Sequence, residues 1–303
     1  VNPGLEKHFD LVSNDILKLG KFLGIDFKNM QVNIDYSLVS DLDYFTPELV
    51  YPKKSSVGCR YGECAFCNMH GFRKYKEFDM RYVKKNIVKN RLYEFIDDVI
   101  PVTRLEKFYN YFKDLNINYE CYSRIISNPN QDQFKKIYDS GCRVILWGVE
   151  SGSKKILNLM NKGITLKGIE KTLKLSSDAG IKNVIYIIVG FPGETEETIN
   201  ETLAFLKRNQ ENIDIVSPNI FNVQPGTDVF NNPKKYGIKK IIRQKRKNLS
   251  DNYAYESEGL SHLDFVKLKG KYKQRLRSIN NYNHWFSIYK DHFLVKVNDI
   301  IEN

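Results

Sequence analysis

The chain has 303 residues, 42% of them hydrophobic, enough for one large domain or one domain with appendages around a substantial core. Its formal net charge is +11, and residues 231–303 hold most of that surplus, with 16 lysines and arginines against 7 acidic residues. No apolar run approaches the roughly 18–20 residues of a membrane span, no basic-then-apolar leader opens the chain, and five uneven cysteines do not make a disulfide framework, so a reduced, cytoplasmic setting without membrane attachment is expected.

Residues 4–24 carry apolar side chains at helical spacing and end in Gly24, which predicts an amphipathic helix. A polar stretch follows to about residue 46, and because residue 1 is Val, an upstream domain is left open. Strands and helices then alternate. "ELVYP" predicts a short strand leading into a cysteine-rich loop, residues 80–90 a helix, and "RLYEFI" a strand ending in Asp97 and Asp98. The helix "VTRLEKFYNYFKDL" precedes the strand "INYECYS", and the helix "NQDQFKKIYDSG" precedes "RVILWGVE". Two helices, 153–160 and 166–179, lead to "NVIYIIVGF"; the helix "ETEETINETLAFLKRN" leads to a last strand around "IDIVSPNIF". About six such units argue for an α/β fold of parallel strands with crossover helices, in an open sheet or a barrel short of the usual eight. After Pro225 and Gly226 the alternation stops, and the rest reads as helices with basic faces. The expected parts are 1–46 (helix and lead-in), 47–230 (core) and 231–303 (basic helical extension).

The loop "SVGCRYGECAFCNMHGF" places Cys59, Cys64 and Cys67 within nine positions. Tightly spaced thiolates bind soft metals. With His70 they would make a closed Cys₃His zinc site. Alone they would hold three irons of an iron–sulfur cluster and leave a fourth open to chemistry. Unligated buried thiols are the plain alternative. The loop follows the first strand of a parallel array, at the carboxyl end where such folds place their active sites.

Here the chain resembles the radical S-adenosylmethionine enzymes. Their usual motif is Cys-x₃-Cys-x₂-Cys with an aromatic residue before the last cysteine; this chain has Cys-x₄-Cys-x₂-Cys with Phe66 in that place. The longer spacing is similar to a variant in catalytic domains of cobalamin-associated members. "DYFTPELVYPKKSSVGC", "SGCRVILWGVESGSKKILNLMNKGIT", "AGIKNVIYIIVGFPGETEETINETLAFL" and "VQPGTDVF" extend the resemblance over about residues 43–230. It implies a partial (β/α)6 TIM-like barrel, with an N-terminal helical segment and a basic, mostly helical C-terminal extension. It also implies a 4Fe–4S cluster on Cys59, Cys64 and Cys67, S-adenosylmethionine as cofactor, and an external electron donor of flavodoxin or ferredoxin type. In that family one electron cleaves S-adenosylmethionine to methionine and a 5′-deoxyadenosyl radical, which removes a substrate hydrogen. The substrate class implied is a peptide or natural product. Methyl transfer through cobalamin is a variant open to the subgroup, although no Asp-x-His-x-x-Gly motif is present.

The same resemblance suggests roles for other residues. Asp97 and Asp98 stand where the family holds the methionine amino group, though the usual Gly-Gly-Glu is absent; an N-cap or surface pair is the alternative. Ser123 and Arg124 stand where a partner for the methionine carboxylate is expected, which a guanidinium fork suits. Glu150 ends an apolar strand, where a carboxylate needs partners; ribose hydroxyls would serve. In "VGFPGETEET", Gly190, Phe191 and Gly193 correspond to a turn that meets adenine; the acidic first turn of the following helix would repel phosphate. Cys121 and Cys142 read as packed core thiols. The run "PKKYGIKKIIRQKRK" and later aromatics leave nucleic acid open as a partner, against a solvated face. The rival of another class is a zinc-stabilised nucleic-acid-binding protein.

Overall fold

A computed structural model describes residues 16–25, 46–68, 74–85, 87–244, 252–257, 260 and 262–302. The chain divides into two compact units, Val1–Asp43 and Tyr44–Asn303. In the first, helix α1 (Ile16–Leu23) stops at Gly24, whose φ of 69° lets the Ile25 N–H reach back to the Gly20 carbonyl at 2.8 Å. The remainder of the helix expected over 4–24 lies outside the described residues.

The second unit begins with β1 (Val50–Lys53) and a small ribbon, β2 (Ser56–Val57) against β3 (Lys76–Glu77), that brackets the cysteine loop. Helix α2 (Met80–Lys85), shorter than the 80–90 expected, leads to β4 (Leu92–Ile100). Then come α3 (Val102–Phe112), β5 (Asn118–Ser123), α4 (Gln131–Asp139), β6 (Cys142–Glu150), α5 (Lys154–Leu159), α6 (Leu166–Asp178), β7 (Lys182–Val189), α7 (Glu196–Arg208) and β8 (Ile215–Ile220). Six strands form one parallel sheet in the order β1-β4-β5-β6-β7-β8. This is the α/β array of crossover units that the sequence predicts. The caps are local: Asn130, Thr165 and Thr195 each accept a backbone N–H from the first turn of α4, α6 and α7.

Each central strand is buried on both faces, as parallel strands under crossover helices require. Phe95, Tyr119, Cys121, Ile145, Trp147, Ile185 and Val216 join the helices in the main core. On the opposite, inner face, Leu92, Val144, Leu146, Val184 and Ile215 pack on Phe293, Leu294, Val295 and Val297 of the last helix. Cys121 and Cys142 are buried core thiols.

Beyond Gly226 the chain is not helical throughout. A short helix α8 (Asp228–Asn231) precedes an antiparallel pair, β9 (Ile238–Gln244) and β10 (Asn252–Ser257); helices α9 (His262–Arg277) and α10 (Lys290–Glu302) follow. Ile238, Ile241 and Ile242 have helical spacing, but Ile238 and Tyr255 pack with Phe191, Phe221 and Tyr236, and this tertiary cluster sets the strand. Lys245, Arg246 and Lys247, the end of the basic run, lie outside the described residues. No helix among the described residues is long and apolar enough to cross a membrane.

Candidate active site

The base of the cysteine loop is pinned from below by acids and one buried arginine. Asp97 accepts the Ser55 N–H at 2.9 Å, the Ser55 hydroxyl at 2.9 Å and the Ser56 hydroxyl at 2.5 Å. Burial pushes its carboxyl up, and these donors pull it back. Asp98 accepts the Gly58 N–H at 2.7 Å. Arg104, buried, donates to the Ser55 carbonyl at 2.7 Å and pairs with Glu77 at 2.6 Å. Asp97 and Asp98 lie inside β4, which runs to Ile100, and do not end it.

The loop tip docks on the turn after α5. Ala65 donates to the Met160 carbonyl at 2.9 Å, Tyr61 donates to the Asn161 carbonyl at 2.8 Å, and Asn161 donates to the Glu63 carbonyl at 2.8 Å. Gly163 is required there: its φ is 63°, and a Cβ would lie 2.4 Å from the Tyr61 hydroxyl oxygen. Phe66 packs half-buried against the cluster that includes Ala65, Met160 and Phe191.

A cavity of about 470 Å³ opens between this loop and the carboxyl ends of β4 to β8. Cys59, Cys64, Cys67, Phe66, Asp98, Ser123, Arg124 and Glu150 all border it. Burial pushes the Cys64 thiol up to about 11, against the pull of Lys162 and Arg124. Ser123 donates to the Ile100 carbonyl at 2.7 Å. Arg124 lies over the Tyr61 ring at 3.8 Å and donates through Nη2 to the Lys162 carbonyl; its buried Nε has no hydrogen-bond partner among the described residues. Glu150, at φ 69°, pairs with Lys162 at 2.9 Å. Burial works against the Lys162 charge, but the Glu150 carboxylate and the Cys64 sulfur together raise the ammonium above the ordinary lysine range.

Four expected site residues do not border the cavity. The Asp97 carboxylate is taken by Ser55 and Ser56. Gly190 is covered by the C-terminal region: Tyr255 donates to its carbonyl, and a Cβ there would lie 2.9 Å from the Phe265 ring. Phe191 is fully buried against Phe221 and Tyr236, and Gly193 abuts Leu159. Sequence reasoning missed Lys162, Tyr122, Tyr186, Asn219 and Lys290, all of which line the cavity. The period-2 alternation of β7, with Ile185 and Ile187 toward the helices, would have turned Tyr186 inward.

The glycine turn has its own titration. Glu194, 2% exposed, accepts the Gly190 N–H at 2.5 Å, and burial raises its carboxyl to about 8 despite that bond. The folded chain therefore holds a proton that the unfolded chain releases near the ordinary carboxyl value. This contribution to stability is lost as pH rises between the two values and is flat above about 8. Glu194→Gln keeps an acceptor for Gly190 and should flatten this part of the profile, where one proton gives a slope of about 1.4 kcal/mol per pH step of one. Urea midpoints of parent and variant across that window check it; parallel profiles would show that Glu194 contributes nothing.

Residues 54–206, just over half of the chain, match the family model described as the radical SAM superfamily. An uncharacterised methyltransferase of Pyrococcus horikoshii is 31% identical over 38% of this chain and 25% of its own length. The tRNA-2-methylthio-N(6)-dimethylallyladenosine synthase of Buchnera aphidicola subsp. Schizaphis graminum is 28% identical over 48% of this chain and 38% of its own. The cobalamin-dependent S-adenosylmethionine radical enzyme OxsB, solved with aqua-cobalamin and S-adenosylmethionine bound, shares the fold at a TM-score of 0.58 and 17% identity, over 73% of this chain and 40% of that one. The chain thus spans well under half the length of these relatives. With the cysteine loop on the carboxyl edge of a six-stranded parallel sheet and a family match over its core, this chain belongs to the radical SAM superfamily.

Proposed function

We propose that Cys59, Cys64 and Cys67 hold a 4Fe–4S cluster at which S-adenosylmethionine is cleaved reductively, and that a peptide or small-molecule substrate in the cavity then loses a hydrogen. The observation that carries this reading is that three thiols, an arginine and two acids border one cavity at the carboxyl edge of the sheet. The donor set suits the group. The three thiols border one cavity, and a cluster takes each thiolate on a different iron.

When bound, the cluster supplies the electron that breaks the sulfonium bond. The chain's own residues bind and orient. Arg124, on the cavity wall beside the cysteine loop, offers its guanidinium to the methionine carboxylate. Ser123, donating to Ile100, keeps oxygen lone pairs for an ammonium. Glu150, anchored through Oε1 by Lys162, offers a carboxylate to ribose hydroxyls. Asp98 holds the loop through the Gly58 N–H and borders the same cavity, where its carboxylate can face the amino group. Residues 47–230 would carry this chemistry, with Tyr255 and Phe265 closing over the glycine turn and the last helix over the inner face. The electron comes from an external donor of flavodoxin or ferredoxin type.

A second reading, methyl transfer with cobalamin as carrier, is supported by the methyltransferase relative and by the cobalamin bound in OxsB. A product heavier by one methyl group would distinguish it. The shared step is tested by reconstituting the full chain with iron and sulfide without oxygen, reducing it and adding S-adenosylmethionine. Slow release of 5′-deoxyadenosine without substrate is expected; its absence from iron-loaded, reduced protein would end the reading.

A further inference from the structure

Below the cysteine loop, the inner face of the sheet is closed by the chain's own last helix, and that helix carries a lysine into the cavity. β6 lines the cavity with Leu146, Gly148 and Glu150. At about 3.3 Å per residue, Leu146 lies roughly 13 Å below Glu150 along the strand. Leu146 pairs with Tyr122 on one side and Val184 on the other, so these residues mark the floor. There the rings of Tyr122 and Tyr186 stack with centroids 5.9 Å apart and planes 13° apart. Lys290, the first residue of α10, donates to the Tyr122 hydroxyl and holds its ammonium 5.0 Å and 5.3 Å from the two ring centroids. Asn219 lines the same cavity.

The two other cations of the cavity are engaged. Lys162 is paired with Glu150, and Arg124 is stacked on Tyr61 beside the cysteine loop. Lys290 differs: among the described residues its Nζ enters no ion pair. A half-buried ammonium stacked on two aromatic faces, ion-paired with neither the Glu120 nor the Glu94 carboxylate that acts on Tyr186, has gained only ring and hydroxyl contacts. An anionic oxygen would restore what burial removed.

We infer that Lys290, with the Tyr122 hydroxyl, forms a subsite for an anionic head group, carboxylate or phosphate, of an elongated substrate. The inference rests on the reading above, in that the far end of such a substrate would meet the cysteine loop. The depth of the cavity sets its reach. Several atoms must separate the anion from the reacting carbon, so a bare acetate or phosphate spans too little.

The test is equilibrium titration of the full chain, with and without reconstituted iron, using phenylbutyrate, phenylpropyl phosphate and phenylbutylamine. One of the two anions should bind, and the tighter of them names the head group. Its affinity should fall about tenfold or more in Lys290→Met, stay near the parent value in Lys290→Arg and fall less in Tyr122→Phe. Thermal melting shows whether Lys290→Met is folded; if it is not, Lys290→Gln takes its place. Unchanged affinity in the folded neutral variant, no binding of either anion to the parent, or amine binding as tight as the anions would overturn the subsite. No reductant is present, so the two readings fail separately. Intact S-adenosylmethionine cleavage with no anion binding sinks the subsite alone. Lost cleavage with Lys290-dependent binding sinks the radical reading alone.

Discussion

Alanine in place of Cys59, Cys64 or Cys67 is expected to abolish iron retention and S-adenosylmethionine cleavage together. Each thiolate would hold a different iron, so no neighbour can take over for a missing one. Cys64 is the most informative of the three. Its thiol titrates near 11 in the metal-free chain because it is buried, so binding must displace a proton. His70 lies outside the described residues, and His70→Ala should keep the iron. The check is iron and sulfide analysis of each variant after identical anaerobic reconstitution. Zinc in the parent, lost from the His70 variant as it is from each cysteine variant, would reverse the assignment in favour of a Cys₃His zinc site.

The second large effect concerns the Glu150–Lys162 pair. Both side chains are almost fully withdrawn from water and meet at 2.9 Å. Removing one leaves the other as an uncompensated buried charge, which costs about 3–5 kcal/mol. Lys162→Met and Glu150→Gln should each destabilise the chain by that order, while the double variant should recover much of the loss. The raised Lys162 value fixes the sign with pH. The pair's contribution is fully present below the ordinary lysine value and is lost as pH rises through the folded-state value, so neutral and mildly acid conditions should show the full effect. Chemical denaturation of the four proteins checks it. Additive single losses would mean that the two groups do not act on each other. Because Lys162 also stands 5.6 Å from the Phe66 ring, its loss should loosen the cysteine loop as well.

The core was legible because its signals are local. The strands read as apolar runs because both faces are covered, and Asn130, Thr165 and Thr195 mark helix starts that need no tertiary help. The cysteine loop stood out by spacing alone. What stayed hidden depends on partners distant in sequence. Asp97 and Asp98 looked like ends of a strand, yet Asp97 serves Ser55, 42 residues earlier, and holds the loop that carries the thiols. Gly190 reads as a cofactor turn until Tyr255 and Phe265 arrive from the C-terminal region to cover it. Ile238, Ile241 and Ile242 keep a helical spacing that packing overrides. The alternating "NYAYES" of β10 was the available sign that a strand pair stood there. Lys290 carries no local signal at all: it matters because α10 packs on the inner face of the sheet, and no short-range pattern reports that.

The most direct test of the central claim is the electron paramagnetic resonance spectrum of the reduced, reconstituted full chain, before and after addition of S-adenosylmethionine, together with its metal content. Three cysteines on four irons leave one iron for the cofactor, so about four irons per chain and a spectrum that shifts when S-adenosylmethionine is added are expected. One tightly held zinc per chain, or an iron signal that S-adenosylmethionine leaves unchanged, would contradict the account.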